Sequence, residues 1–530
     1  MRNKKFQVWL PLLFSLIMIS GMFFGFKLNQ QTGSAQGFFK LDKKSSLQEA
    51  MDLIKNKYVD SIGMDSLQND ALEDMVGHLD PHSAYIPASK VSDANEDIVG
   101  NFEGIGVEFN IFKDTVHIVY VIPNGPSEKA GLLIGDRIIK VDDSLIVSKT
   151  LASEKIRKMI RGEGGTKVKL TIVRNGNTQE VKVTRGIIPL PSVDASYILD
   201  TSIGYLRINK FSETTFKEFM QAMEGLKAKG MQSLVLDLRG NGGGLVSQAV
   251  FIADEFLSED KLVVYTEGVN TPKREYRAGK DGVFETGKLM VLVDELSASA
   301  SEILAGALQD WDRATIIGRR TFGKGLVQEQ YQLQDGSALR LTVARYYTPI
   351  GRNIQRPYDQ GKKVYMDEVY HRYQSGEMLT ADSIHFDKKK AFKTKGGRTV
   401  YGGGGIMPDI FVPVDSGMYT QSVTRLYLDG RFNNFVYQYY INHLPIFNSY
   451  KSPALFANDY KNTDQAWMEL VAYAAKDSIN LQKVPAKERA SIENWIKAYL
   501  ARFKWRTEGF YEVLNRKDDV VAKAVQTLKK

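Results

Sequence analysis

Three loops carry the residue types that could do chemistry in this 530-residue chain. The first is Asp237-Leu238-Arg239-Gly240-Asn241-Gly242-Gly243-Gly244-Leu245, after an apolar run at 234–238. It is not a dinucleotide fingerprint, because the last glycine of G-x-G-x-x-G would fall on Leu245. Its glycines would let backbone N–H groups point into a site, as an oxyanion hole needs; a tight structural turn would explain them too. The second is Leu296-Ser297-Ala298-Ser299-Ala300-Ser301-Glu302-Ile303, between an apolar strand and a helix expected over 301–309. A serine at that corner is presented at the sheet edge, where the helix N-terminus supplies partial positive charge for an oxyanion. Taken alone, the segment reads first as a helix cap, since Ser299-Ala300-Ser301-Glu302 fits a capping box. The third is Gly318-Arg319-Arg320-Thr321-Phe322-Gly323-Lys324-Gly325. It has the G-x-x-x-x-G-K of a phosphate-binding loop, but Gly325 replaces the Ser or Thr that would hold magnesium, and residues 326–333 alternate as a strand where that loop needs a helix.

A serine nucleophile needs a base. The chain has no cysteine, and none of its six histidines lies near these loops in sequence. Only His78 and His82 have a metal-ligand spacing. A neutral lysine can serve, if burial and local field lower its pKa from about 10.4 towards about 7–8, which requires about 4 kcal/mol. Lys324, among glycines and a phenylalanine after a buried strand, suits that burial, and serine–lysine pairs are a known variant of triad chemistry.

The elements that must position these loops follow from patterning. Hydrophobic residues are 43% and charged residues 25% of the chain, a globular balance that excludes a mostly disordered, collagenous or polytopic membrane protein. The length predicts three to four domains. The net charge of +8 is interleaved with 62 acidic residues, so no nucleic-acid partner is expected. Arg2, Lys4 and Lys5 precede an uncharged run over 8–26, closed by Lys27. As a helix it would reach about 28 Å, close to a bilayer's hydrocarbon thickness. Residues 1–30 therefore read as an export signal, an anchor in the inner membrane with the rest of the chain in the periplasm. The other reading is a signal peptide cleaved near Gly33-Ser34-Ala35 before export.

Residues 40–97 have helical spacing and end in Leu79-Asp80-Pro81-His82-Ser83. Residues 98–188 alternate with period two at 107–109, 116–121, 137–141, 168–173 and 181–184, predicting a compact, partly open β-barrel with helices over 127–130 and 150–160. Residues 189–415 alternate apolar strands and helices, predicting βαβ units on a mostly parallel sheet, closed by a flexible loop at Gly402-Gly403-Gly404-Gly405. Residues 416–530 read as a helical appendix without chemistry. The whole is an α+β multidomain chain.

Gly104-Ile105-Gly106-Val107 resembles the carboxylate-binding loop of PDZ domains, and Asn124-Gly125-Pro126-Ser127-Glu128-Lys129-Ala130-Gly131-Leu132 resembles the PDZ stretch that follows it. Such a loop captures a C-terminal carboxylate while the peptide adds a strand to a sheet edge. With Leu79-Asp80-Pro81-His82-Ser83, Asp237-Leu238-Arg239 and the serine and lysine loops, five motifs stand in the order of the C-terminal processing (tail-specific) serine peptidases. The resemblance spans about residues 45–415. It implies an α/β protease core related to the crotonase and ClpP folds and an endopeptidase acting near protein C-termini. Ser299 would be the nucleophile, Lys324 the base and Gln328 the residue orienting it. Ala300 and Gly243 or Gly244 would supply oxyanion N–H groups, and Gly104, Ile105, Gly106 and Val107 would bind substrate C-termini. No cofactor or metal is implied; an oligomer or an activating partner is compatible. Gly242 departs from the family, where many members carry proline. Two rival readings are a catalytically silent PDZ adaptor and a crotonase-like acyl-transfer enzyme.

Overall fold

The computed structural model describes residues 4–31, 45–112, 114–146, 152–383, 388–415 and 419–530. The chain divides into two compact units, Met1–Ala71 and Leu72–Lys530.

In the first unit the uncharged N-terminal run forms the helix Lys4–Gln31, followed by Ser46–Lys57, capped by the Ser45 hydroxyl at the Gln48 N–H. Among the described residues no helix is long and apolar enough to cross a membrane. The expected helix therefore forms, and the expected membrane span does not follow from it.

In the second unit, residues 107–184 form a sheet in the order Val107–Phe112, Thr115–Val121, Arg137–Val141, Lys167–Arg174, Asn177–Thr184. Val116, Ile118, Ile138, Leu170 and Ile172 are fully buried, which is what the period-two pattern encodes. The strand Val107–Phe112 is left at an edge, facing the helix Ser153–Ile160 across a groove. Of the helix expected over 150–160, residues 150 and 151 lie outside the described residues.

The next region is built on a six-stranded sheet: Val193–Asp200, Ile203–Ile208, Ser233–Asp237, Lys288–Val293, Thr315–Gly318, Ile410–Phe411. Only the first pair is antiparallel. The central strands are covered on both faces, so they read as continuous apolar runs rather than alternating ones. The carboxyl ends of three of them feed the three loops singled out above. A second, antiparallel sheet extends beyond the strand expected at 326–333: Ala84–Ile86, Ala338–Tyr347, Leu262–Gly268 and Thr271–Arg277, with Leu326–Gln332 also on Ala338–Tyr347.

Two expectations are corrected. The glycine run at 402–405 is pinned rather than flexible. The N–H groups of Gly403 and Gly405 donate to the carbonyls of Asn353 (2.6 Å) and Ile354 (2.8 Å), and Ile406 N–H donates to Thr321 Oγ1 (2.6 Å). Gly405 stands at φ 92°, and a Cβ there would lie 2.6 Å from the Thr321 carbonyl oxygen, so glycine is used for close approach, not mobility. Likewise, the helical C-terminal region is no appendix. Its aromatic core, with Phe432, Tyr440, Phe447 and Phe456, also takes in Phe112 and Val119 of the small β-domain. Its last helix, Asp519–Leu528, buries Val520, Val521, Ala524 and Leu528 against Tyr205, Val235 and Met290 of the large sheet. Each valine or leucine among them contributes about 1.5–3 kcal/mol when fully buried.

Candidate active site

Ser299 sits between the strand Lys288–Val293 and the helix Ala300–Asp310, as its N-cap, with φ 55° and ψ −112°. A non-glycine residue at positive φ is strained, and such strain persists where the surroundings over-determine it. Here they do. Glu302 Oε2 accepts the Ser299 N–H at 2.8 Å, and Tyr346 Oη donates to the Ser299 carbonyl at 3.1 Å. The Glu302 half of the capping box is therefore present, with the Glu302 N–H donating to the Ser299 carbonyl at 2.8 Å, and it holds the serine rather than excluding a role for it. Ser297 and Ser301 have committed hydroxyls: Ser297 Oγ donates to the Leu238 carbonyl at 2.8 Å, and Ser301 Oγ to the Asn241 carbonyl at 2.9 Å.

Glu302 also reaches the lysine loop. The same Oε2 accepts the Lys324 N–H at 2.9 Å, while Oε1 accepts the Gly323 N–H at 2.8 Å and the Thr321 hydroxyl at 2.5 Å. One buried carboxylate thus joins the serine corner to the lysine loop. Burial raises its pKa, against the Thr321 hydroxyl and the three N–H groups. Tyr346 repeats the join by donating to the Lys324 carbonyl at 2.5 Å. The Lys324 amine donates to Gln328 Oε1 at 2.9 Å rather than to the Ser299 hydroxyl. Burial lowers the Lys324 pKa, and the nearby Arg340 adds to the shift.

Gln328 is itself oriented from far away in the chain. Its Nε2 donates to the His82 carbonyl at 2.6 Å, leaving Oε1 for the lysine. The turn that presents this carbonyl is closed by Asp80, which accepts the N–H groups of His82 (2.8 Å) and Ser83 (2.9 Å) and the Ser83 hydroxyl (2.5 Å). The strand Ala84–Ile86 then ties the turn to Ala338–Tyr347. The His82 ring meets Tyr365 Oη at 2.8 Å and lies edge-on to Phe322. Burial, with Lys324 close by, pushes the His82 pKa down to about 4. The motif is legible in the sequence; its contact with Gln328 is not.

The glycine loop lies against the serine. Gly243 stands at φ 101°, and a Cβ on it would come within 2.8 Å of both Ser299 Cβ and the Ala298 carbonyl oxygen, so no other residue fits. Its N–H donates to Asn241 Oδ1 at 2.9 Å. Its carbonyl accepts from Phe211 at 2.9 Å, which turns the Gly244 N–H, on the other side of the same peptide, away from Phe211. Ala300 N–H is in the first helical turn, where no intrahelical partner exists. Asn241, missed in the sequence, splints the loop: its carbonyl also accepts the Ala298 N–H at 2.9 Å, and its Nδ2 donates to the Ile208 carbonyl at 2.9 Å. The loop is rooted by Asp237. Burial raises its pKa, but Arg239 and Arg207 outweigh this and hold it at about 2. Arg239 reaches on to Asp518 at 2.8 Å. At Gly242 a Cβ would meet nothing within 4 Å, so the departure from proline leaves this packing unchanged.

On the small β-domain, the carbonyls of Ile105 and Gly106 accept from Ser127 and Ile122, both at 3.0 Å. The N–H groups of Gly106 and Val107, opposite them across each peptide, point the other way. A cavity of about 340 Å³ lies along this strand, lined by Ile105, Gly106, Val107 and Phe109 and by Ser153, Arg157 and Ile160 of the helix. Among the described residues no cluster of His, Asp and Glu could hold a metal ion.

Comparison with known proteins adds relatives to this geometry. Residues 202–361 match the family model of peptidase family S41, 104–184 that of the PDZ domain, and 422–506 a family of unknown function. A carboxy-terminal-processing protease of Bartonella bacilliformis is 39% identical over 308 residues, covering 57% of this chain and 70% of that protein. The carboxy-terminal processing protease CtpA of Bacillus subtilis is 37% identical over 328 residues, covering 62% and 69%. Among solved structures, a photosystem II D1 C-terminal processing protease is 27% identical, with a TM-score of 0.36, covering 70% of this chain and 88% of its own.

Proposed function

Since this chain belongs to peptidase family S41, as a serine-type, carboxy-terminal-processing protease with a PDZ domain, we propose that Ser299 and Lys324 perform the cleavage and that the PDZ groove selects the chain end. The observation that carries this is the convergence of the Ser299 and Lys324 backbone N–H groups on one oxygen of Glu302. Ser299 Oγ attacks the scissile carbonyl and passes its proton to neutral Lys324 Nζ. The oxyanion is stabilised by N–H groups of Ala300 and Gly244, the Gly243 N–H being held by Asn241. Lys324 then protonates the leaving amine, and water releases the acyl group by the same steps in reverse. Incubation of the full chain with a tailed peptide and mass analysis of the products tests this. Internal cuts near the tail support it; no cleavage, or removal of single C-terminal residues only, counts against it.

Gln328 orients the amine and does not touch substrate. Gln328→Ala is therefore expected to lower kcat by about 10- to 100-fold with little change in KM, the scale of a misplaced catalytic group. A changed KM at constant kcat would contradict that role.

The two outward N–H groups of Gly106 and Val107 suit a carboxylate. Binding to the full chain carrying Ser299→Ala is expected to be about ten-fold or more weaker for an amidated peptide than for the free acid, the value of charge-assisted hydrogen bonds. Equal affinities would remove the C-terminus from the recognition. Export, in line with the basic N-terminus and its uncharged run, belongs to the same proposal; protection of the chain from external protease in spheroplasts would contradict it.

A further inference from the structure

The peptide groove has a third wall that belongs to neither side of the small β-domain. Arg502, from the long C-terminal helix Ala486–Leu514, lines the same cavity as Gly106, Val107 and Phe109. Its Nη2 lies 3.0 Å from Glu108 Oε2 on the edge strand. The other oxygen of that carboxylate, Oε1, is held at 3.1 Å by Arg506 Nη2, whose guanidinium also covers the Tyr120 ring at 4.6 Å. Arg506 is fixed by more than its partner: the helix breaks there, at φ 53° and ψ −146°, a conformation rare for any residue but glycine.

The arithmetic of charge along the groove is uneven. Arg161 faces Glu96 at 2.7 Å and Arg157 faces Glu154 at 2.9 Å, one acid to each. Arg502 and Arg506 share a single Glu108. If Arg502 turned to an incoming carboxylate, Glu108 would keep Arg506, so the exchange strands no charge. Arg502 and Glu108 are each about one-third exposed, 37% and 33%, so the pair is reachable from the groove.

Resting on the reading of this groove as a peptide site, we propose that Arg502 is a specificity-determining residue, and that the C-terminal helical region thereby selects chain ends carrying an acidic side chain near the terminal carboxylate. The ligand is a polypeptide terminus with two anionic groups. The loop N–H groups take the backbone carboxylate, and Arg502 takes an Asp or Glu side chain within the last few residues.

The test uses the full chain with Ser299→Ala and three fluorescent peptides of one sequence: free acid with Asp near the end, free acid with Asn in its place, and the Asp peptide amidated. The Asp peptide is expected to bind about five-fold tighter than the Asn peptide, at the upper range for an exposed ion pair, with the preference shrinking as salt rises. Arg502→Gln should abolish the preference and Arg502→Lys should keep most of it. Glu108→Gln, which removes the competing acid, should increase it, an opposite sign that a misfolded variant cannot mimic. Equal binding of Asp and Asn peptides, or a preference unchanged by Arg502→Gln, with the amidated peptide still weak, overturns the role of Arg502 and leaves the groove standing. Binding indifferent to amidation overturns the peptide-site reading, and this proposal with it.

Discussion

Replacing Ser299 by alanine is expected to reduce kcat by on the order of 10⁶-fold, the scale seen when the nucleophile of a serine hydrolase is removed, with the fold unchanged. The backbone N–H that Glu302 accepts and the carbonyl that Tyr346 contacts are both retained, and alanine brings the same Cβ to the same positive φ. The neighbouring serines are the controls. Ser297 and Ser301 lend their hydroxyls to the carbonyls of Leu238 and Asn241, so their alanine variants should lose about 1 kcal/mol of stability each and keep cleaving. Turnover of a tailed peptide and a thermal melt on each variant decide it. Wild-type turnover by Ser299→Ala, with loss in either neighbour, would place the nucleophile at the wrong serine.

Lys324→Arg should be comparably inactive, because a guanidinium stays protonated at any accessible pH and cannot take the serine proton. The native enzyme should show the same requirement as a pH profile. If Lys324 is the base, the active form has a neutral amine; burial lowers the Lys324 pKa, so activity is expected to fall as pH drops through that lowered value and to rise above it. The midpoint of the acidic limb is expected well below an ordinary lysine. Cleavage by Lys324→Arg at more than a small fraction of the native rate would send the base assignment to His82, which is neutral down to about pH 4 and packs against Phe322 of the lysine loop.

The parts of this site that were legible in the sequence are those whose signal is local. A serine between an apolar strand and a helix, and a lysine among glycines before an alternating strand, can be read from a dozen residues. Glu302 was legible only as half of a capping box. Its second task, accepting from Thr321, Gly323 and Lys324, depends on how the ends of two parallel strands are set side by side, which no periodicity records. The bond from Gln328 to His82 spans 246 positions, and Asn241 looked like one more polar residue in a glycine loop. The second sheet escaped because Thr271–Arg277, which pairs with Leu262–Gly268, carries Lys273, Arg274, Glu275 and Arg277 and is exposed along most of its length, a pattern close to that of a surface loop. The glycines at 402–405 misled for the opposite reason: composition suggests freedom, and the positive φ angles show a chain pressed against Thr321.

The ion pair between Arg239 and Asp518 has a consequence in time. Its partners are 279 positions apart, so at about 5–20 residues per second a ribosome releases the arginine on the order of tens of seconds before the aspartate. Through that interval the serine and lysine can already have been made, while the strand end that carries the glycine loop lacks its last support, and the final helix is not there to cover the underside of the sheet. A nascent chain that has just passed Lys324 therefore still lacks the Asp518 carboxylate and the helix that packs on Tyr205, Val235 and Met290.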